Sequence, residues 1–97
     1  MKTLNQIMEE ECGNRIELFK GIFSQRLKDI RKEKGLSQNA VANKLGCAVS
    51  TYANWAQGRT EPSVYDIFNL LWVFGIDANE LFDISTVYKV IWHSISL

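Results

Sequence analysis

Residues 49–57 carry hydrogen-bonding side chains on one side and large aromatic side chains on the other. Ser50, Asn54 and Gln57 recur at helical spacing, while Tyr52 and Trp55 fall on the opposite side. An amide group both donates and accepts hydrogen bonds, and a hydroxyl oxygen does the same. The polar side can therefore bind the edges of a polar ligand while the aromatic side is anchored in a core. The pattern indicates recognition by hydrogen bonding.

The sequence has no arrangement of residues that is typical of catalysis. The sequence has one histidine, His93, and it lacks a carboxylate pair in an apolar setting, a glycine-rich phosphate loop and a nucleophile beside a base. Cys12 and Cys47 have no metal-ligand spacing, so we expect two reduced thiols and no metal site. We predict that the protein is not an enzyme, uses no cofactor and has no small-molecule substrate.

Two short helices joined by a glycine turn position the polar face. A helix capped by Ser37 ends at Gly46, and the next helix covers residues 49–57 and ends at Gly58. Such a pair matches a helix-turn-helix, whose second helix can lie in the major groove of DNA. A helix in that groove, which is about 12 Å wide, must expose small or hydrogen-bonding side chains. Residues 49–57 meet this requirement.

Further helices are predicted to build the core around this pair. The first begins at a Ser24 cap and stops at Gly35, a fourth opens with a capping box at Ser63, and a short fifth begins at Asp77. Five helices fit within about sixty residues. The aromatic residues that we expect in the core are Tyr52, Trp55, Phe68, Trp72 and Phe74.

An ordered series of short motifs runs through residues 23–83: RLKDIRKEKGLSQ, LG, W, G and P. Together they resemble the lambda-repressor-like, Xre-type helix-turn-helix family. The resemblance implies an all-α fold with a five-helix lambda-repressor-like DNA-binding domain over residues 23–83. It also implies a sequence-specific transcriptional regulator that binds double-stranded DNA in the major groove, and it favours repression by occupancy of an operator.

The same resemblance implies roles for single residues. Val49, Ser50 and Asn54 occupy the positions that contact bases, and Asn54 can donate to and accept from adenine, a contact worth about 1–3 kcal/mol of discrimination. Val49 can pack on a thymine methyl group. The positions expected to contact phosphates are Gln38, Gln57, Arg59 and Thr60, to which the basic surface of the first helix adds Lys28.

Three alanines depart from the family pattern. Ala48 lacks the hydroxyl that usually caps the recognition helix, which forfeits about 1 kcal/mol of end stabilisation. Ala56 lacks the carboxylate that pairs with the arginine of the first helix, here Arg31, which must find another partner. Because Ala53 and Val49 make the reading surface less polar, we expect part of the specificity to come from DNA shape.

The charge of the chain is zero overall but uneven along its length. Residues 24–60 carry seven basic and two acidic side chains, a sum of +5, whereas residues 1–23 sum to −1 and residues 61–97 to −4. A positive region on a protein whose remainder repels polyanions can both strengthen and orient DNA binding.

Both ends of the chain add apolar residues to this domain. Residues 1–22 are predicted to form an N-terminal helical extension, with Leu4, Ile7 and Met8 on one face. Residues 84–97 fit either a strand or a helical stripe. Apolar surface beyond a closed core commonly marks a subunit interface, so we predict a homodimer with residues 84–97 as a candidate dimerisation element. The alternative is that the two ends fold back on their own subunit, which would give a monomer with weak DNA affinity. Two-fold symmetry would place two recognition helices about 34 Å apart on a palindromic operator.

An alternative function is a protein-interaction module, antitoxin-like or anti-repressor, that keeps the helical core and binds little DNA. The alanines at 48, 53 and 56 are the features that favour it. In either case the N-terminus lacks the apolar region of a secretory signal, and the longest apolar stretch is far below the ~20 residues of a membrane span. We therefore expect a cytoplasmic protein without membrane contact.

Overall fold

The computed structural model describes residues 3–95, apart from the side chains of residues 7–9, 11, 12, 90, 91 and 93–95. The described residues form helices only and contain no strand, which confirms the all-α prediction. The helices are α1 (Leu4–Glu33), α2 (Gln38–Leu45), α3 (Val49–Ala56), α4 (Val64–Phe74), α5 (Ala78–Phe82) and α6 (Ile84–Ile95).

Helix α1 is one continuous element of 30 residues. It begins at a capping box in which the Thr3 hydroxyl accepts from the Gln6 backbone N–H and the Gln6 side chain accepts from the Thr3 N–H. The predicted N-cap at Ser24 is wrong, because this residue lies inside α1 and its hydroxyl donates to the Lys20 carbonyl at 2.8 Å. The N-terminal extension is thus a continuation of the first helix and not a separate one. The side chains of Ile7 and Met8 lie outside the described residues.

The other predicted helix starts are confirmed. The hydroxyl of Ser37 accepts from the Ala40 N–H at 3.0 Å, and the Asp77 carboxylate accepts from the Glu80 N–H at 2.8 Å. At the start of α4, the Ser63 hydroxyl accepts from the Asp66 N–H and the Asp66 carboxylate accepts from the Ser63 N–H, so the capping box is complete. Since these bonds satisfy backbone donors that have no partner inside their helices, each cap fixes where its helix begins.

The core lies where α1 to α5 meet. The buried residues are Phe23, Leu27, Ile30, Val41, Ala42, Tyr52, Trp55, Ala56, Leu70, Phe74 and Leu81. The prediction of core positions holds for Tyr52, Trp55 and Phe74, but it is wrong for Phe68 and Trp72, which are exposed. Nine of the eleven residues of α4 are large and apolar or aromatic, so its sequence does not distinguish the buried side from the exposed one.

The C-terminal segment is helical, which resolves the choice between strand and helix that the sequence left open. Helix α6 packs against α1 and α5. Next to this contact, the rings of Phe19, Phe23 and Phe82 stack with centroids 5.5–6.1 Å apart. The predicted helical stripe also included Ile91 and Ile95, whose side chains lie outside the described residues. Residues 96 and 97 lie outside them as well.

The long first helix gives the protein an elongated shape of 51 × 24 × 20 Å. A helix of 30 residues is about 45 Å long, so α1 accounts for most of the longest dimension. Across residues 3–95, none of the helices has the length and hydrophobicity needed to cross a membrane.

Candidate nucleic-acid interface

Helix α3 is held in the core by one aromatic face. Tyr52 is fully buried, and its hydroxyl donates to the Leu27 carbonyl of α1 at 3.2 Å. The Trp55 ring packs edge-on against Tyr52 with centroids 6.5 Å apart. Ala56 completes this buried side of α3. These contacts fix the rotation of α3 about its own axis.

The opposite face of α3 points away from the core. Ser50 is exposed, Val49 is 38% exposed and Asn54 is half-buried. The side chains predicted to contact bases therefore share one accessible face, which continues to the exposed Gln57 at the end of the helix. An α-helix with its side chains is about 10–12 Å in diameter, so a helix with this face free fits a major groove about 12 Å wide.

The turn before α3 is tight and lacks a side-chain cap. Gly46 has φ +76°, the left-handed conformation that ends α2, and the next N–H, that of Cys47, donates to the Ala42 carbonyl at 3.0 Å. Ala48 has the extended backbone of an N-cap, but no side chain accepts from the first N–H groups of α3. Packing against α1 and α2 therefore holds the start of α3.

Three of the residues predicted to contact phosphates lie in the connection from α3 to α4. Gln57, Arg59 and Thr60 are all exposed. The Arg59 N–H donates to the Asn54 carbonyl at 2.9 Å, so the backbone of a predicted phosphate contact is tied to that of a predicted base contact. The fourth residue, Gln38, is half-buried as the first residue of α2.

Lys28 lies in α1 near the point where this helix meets α3. It is half-buried and lies one turn after Ser24, whose hydroxyl is 3.5 Å from the Trp55 carbonyl at the end of α3. A second lysine of α1, Lys20, forms an ion pair with Glu61 at 3.4 Å and links α1 to the connection between α3 and α4.

A close approach between Gly58 and α1, which the sequence did not predict, positions the connection from α3 to α4. Gly58 has φ +73°, and a β-carbon at this position would lie 3.0 Å from the Ser24 hydroxyl oxygen. The absence of a side chain thus lets the backbone before Arg59 approach α1. A glycine immediately after a helix signals a left-handed residue, but its contact with Ser24, 34 positions earlier in the sequence, has no local signal.

Arg31 donates a hydrogen bond to a backbone carbonyl, because position 56 is an alanine and offers it no carboxylate. One of its terminal nitrogens, Nη1, donates to the Leu36 carbonyl at 2.9 Å. Its Nε is buried and has no hydrogen-bond partner among the described residues. Burial raises the pKa of the nearby Tyr52 hydroxyl, and the Arg31 charge opposes that shift. An ordinary tyrosine is already protonated at neutral pH and the pKa of Tyr52 is shifted further upward, so its hydroxyl keeps the proton that it donates to the Leu27 carbonyl.

The described residues beside the candidate interface hold no metal cluster and enclose a small cavity. They contain no cluster of His, Cys, Asp and Glu side chains that could hold a metal ion. A cavity of about 170 Å³ lies between α1 and the connection from α3 to α4, with Phe23, Trp55 and Ile67 in its wall. This volume is below the 300 Å³ or more that is typical of small-molecule and cofactor sites.

A family model described as helix-turn-helix matches residues 27–81, more than half of the chain. The chain belongs to this family. The match spans the three elements that form the candidate interface, namely the last seven residues of α1, all of α2 and all of α3. It confirms the resemblance to the Cro and Xre type of regulator, a family of DNA-binding transcriptional regulators that are not enzymes.

Two known proteins are similar to this helix-turn-helix chain. The cryptic phage CTXphi transcriptional repressor RstR of Vibrio cholerae is 32% identical over 60 residues, which cover 62% of this chain. The match covers 54% of RstR, so the chain spans about half the length of that relative. The restriction-modification controller protein C.AhdI of Aeromonas hydrophila is 34% identical, with a TM-score of 0.61 over 69% of this chain and 98% of its own.

Proposed function

We propose that the protein is a sequence-specific DNA-binding transcriptional repressor that acts by occupying an operator. The observation that carries the proposal is the orientation of α3, which buries Tyr52 and Trp55 and turns its hydrogen-bonding face outward. A helix held in this way can enter the major groove without disturbing the core. No chemical reaction is required, because a bound repressor excludes other proteins from the same DNA.

Three residues of α3 would read the base sequence. Asn54 would form two hydrogen bonds with an adenine, one donated and one accepted by its amide. Val49 would contact the methyl group of a thymine, and Ser50 would donate to or accept from either base of a pair. Because Ala53 contributes no polar atom to this face, DNA shape would supply further specificity.

A second group of residues would hold the DNA backbone. Gln38 would donate to a phosphate from the start of α2, and Arg59 and Lys28 would each add a positive charge. Gln57 and Thr60 would donate from the connection that follows α3. These contacts set the register of α3 in the groove without reading sequence. A regulator of this kind would meet its DNA in the cytoplasm, which is the location that we propose.

A homodimer would present two α3 helices to one operator. With two-fold symmetry and half-sites about 34 Å apart, the operator is an approximate palindrome. The C-terminal residues 84–97 are one candidate for the subunit contact. Within them, Ile84, Tyr88 and Trp92 are exposed on α6. The similar protein RstR is a transcriptional repressor, which agrees with the proposed mode of action.

Selection of bound sequences from a random pool of duplex oligonucleotides tests the proposal. We expect enrichment of a palindromic site, and we expect its affinity to fall as salt rises, because each phosphate neutralised by a lysine or an arginine releases counterions. Of the five proposed phosphate contacts only Arg59 and Lys28 are charged, so the slope of log affinity against log salt should be about −2 per half-site. No enrichment, together with a flat salt response, would favour the alternative of a protein-interaction module.

A further inference from the structure

The cavity between α1 and the connection from α3 to α4 is lined mainly by apolar side chains. They are Phe19 and Phe23 of α1, Trp55 of α3, Pro62 and Ile67. Phe23 and Trp55 are buried members of the core, and Phe19 stacks on Phe23 with ring centroids 6.1 Å apart. The core therefore fixes the shape of much of the cavity wall.

The volume of the cavity restricts the size of a ligand. At about 170 Å³ the cavity is too small for a cofactor, but an apolar protein cavity of about 150 Å³ accommodates one benzene molecule. A single aromatic ring inside it can form the offset or edge-to-face contacts that Phe23 and Trp55 favour. The wall and the volume both select a monocyclic aromatic ligand.

Charged side chains beside the cavity restrict the polar group of that ligand. Lys20 lines the cavity and forms an ion pair at 3.4 Å with Glu61, another lining residue. Arg15 lines an adjoining depression together with Lys20 and Glu61, so the lining of the two spaces includes two cations and one carboxylate. The side chain of Glu61 is 71% exposed, and an ion pair this exposed contributes little to stability. A ligand carboxylate can therefore replace Glu61 as the partner of Lys20.

We propose that this cavity binds a monocyclic aromatic carboxylate, with the ring beside Phe23, Trp55 and Ile67 and the carboxylate paired with Lys20. Burial of the ring holds the carboxylate close to the Lys20 ammonium group, where its effective concentration far exceeds that of a free anion. Glu61 moves into solvent at little cost, because its side chain is already largely hydrated.

The ligand acts on DNA binding through the connection from α3 to α4. Gly58, Thr60 and Glu61 of this connection line the cavity, and Arg59 and Thr60 are two of the proposed phosphate contacts. The ion pair between Lys20 and Glu61 ties the connection to α1. Its loss removes a restraint on Arg59 and leaves an unpaired carboxylate two residues away, which repels the DNA backbone. Only this effect rests on the proposed function, whereas the ligand site itself does not.

Tryptophan fluorescence of the full chain measures ligand binding without DNA. The chain has three tryptophans, and Trp72 and Trp92 are exposed, so replacing both by phenylalanine leaves Trp55 in the cavity wall as the only emitter. Benzoate, benzyl alcohol and benzylamine present the same ring with a negative charge, no charge and a positive charge. We expect benzoate to change the emission saturably with a dissociation constant of about 0.1–1 mM, and to bind at least ~5-fold more tightly than the other two.

Four variants in this background test the assigned contacts. Lys20→Gln should weaken benzoate binding about 5-fold and leave benzyl alcohol binding unchanged, because only the carboxylate uses the charge. Lys44→Gln removes the same charge from the exposed end of α2, outside the cavity lining, and should change neither. Glu61→Gln should strengthen benzoate binding about 2–3-fold, because the competing carboxylate is absent. Ile67→Phe fills part of the cavity and should weaken binding of both ligands about 10-fold, with circular dichroism as the test of folding.

Three results would overturn the proposed site. They are the absence of a saturable change in Trp55 emission, tighter binding of benzylamine than of benzoate, and equal benzoate binding by folded Lys20→Gln and its parent. Lys20 is only half-buried and outside the core, so this variant keeps the test decisive if Ile67→Phe does not fold.

Binding to the selected operator separates the regulatory effect from a failure of the proposed function. Saturating benzoate should weaken operator binding about 5-fold in the wild type and leave it unchanged in Glu61→Gln, and by linkage the operator should weaken benzoate binding by the same factor. Unchanged operator affinity in saturating benzoate would refute the regulatory effect. If no form of the protein binds DNA while benzoate binding still depends on Lys20, the proposed function fails and the ligand site stands.

Discussion

Gly58→Ala should destabilise the fold more than an equivalent substitution elsewhere. A non-glycine residue in the left-handed conformation costs about 1–2 kcal/mol, and Gly58 has φ +73°. The new β-carbon would also lie 3.0 Å from the Ser24 hydroxyl oxygen, which donates to the Lys20 carbonyl. Displacing that hydroxyl would disrupt a hydrogen bond worth about 0.5–1.5 kcal/mol. We expect a total loss of about 2–3 kcal/mol in the free energy of unfolding.

Gly46→Ala separates the two contributions. Gly46 has φ +76°, but a β-carbon there would meet nothing within 4 Å, so we expect a loss of only about 1–2 kcal/mol. Alanine has less conformational entropy than glycine in the unfolded chain, and the resulting increase in stability is the same for both variants. Urea unfolding at one fixed protein concentration, followed by far-UV circular dichroism, measures the difference directly.

A double-mutant cycle assigns the difference to Ser24. In a Ser24→Ala background, Gly58→Ala should cost no more than Gly46→Ala, because the oxygen that it would displace is absent. Equal losses for Gly58→Ala and Gly46→Ala in the wild-type background, or a cycle without coupling, would refute the reasoning. The connection after α3 would then not be positioned by its approach to α1.

Two further predictions concern the turn before α3. Ala48→Ser should raise the free energy of unfolding by about 0.5–2 kcal/mol, since Ala48 has N-cap geometry and no side-chain cap; thermal melts would measure the gain, and an unchanged midpoint would contradict it. The pKa of the Cys47 thiol is raised above its ordinary value, first by burial and then by Asp66, so in a Cys12→Ser variant its alkylation should reach half of its maximal rate at a higher pH than the alkylation of free cysteine does. A midpoint at or below that of free cysteine would contradict the raised pKa.

Local signals predicted most helix starts correctly. Ser37, Ser63 and Asp77 are caps because each side chain accepts from a backbone N–H three residues later, which is an interaction within one turn. Ser24 has the same residue type, yet its hydroxyl donates to a carbonyl four residues earlier within a longer helix. The difference depends on the residues before Ser24, which continue the helix through Gly21 without a break.

Long-range packing limited the rest of the sequence prediction. The polar and aromatic faces of α3 were identifiable because that helix is amphipathic, and the structure buries Tyr52 and Trp55 as expected. Helix α4 is apolar almost all round, so periodicity could not show that Trp72 faces outward. Nor could the sequence show that Arg31 bonds the Leu36 carbonyl or that Gly58 approaches α1.

The most direct test of the account compares two single substitutions on the selected operator and on random duplex DNA. Asn54→Ala should weaken binding to the operator by about 1–3 kcal/mol and leave binding to random DNA nearly unchanged, because it removes a base contact. Gln38→Ala should weaken both by a similar factor, because a phosphate contact carries no sequence information. Equal losses on both DNAs for Asn54→Ala would contradict the claim that the outward face of α3 reads the base sequence.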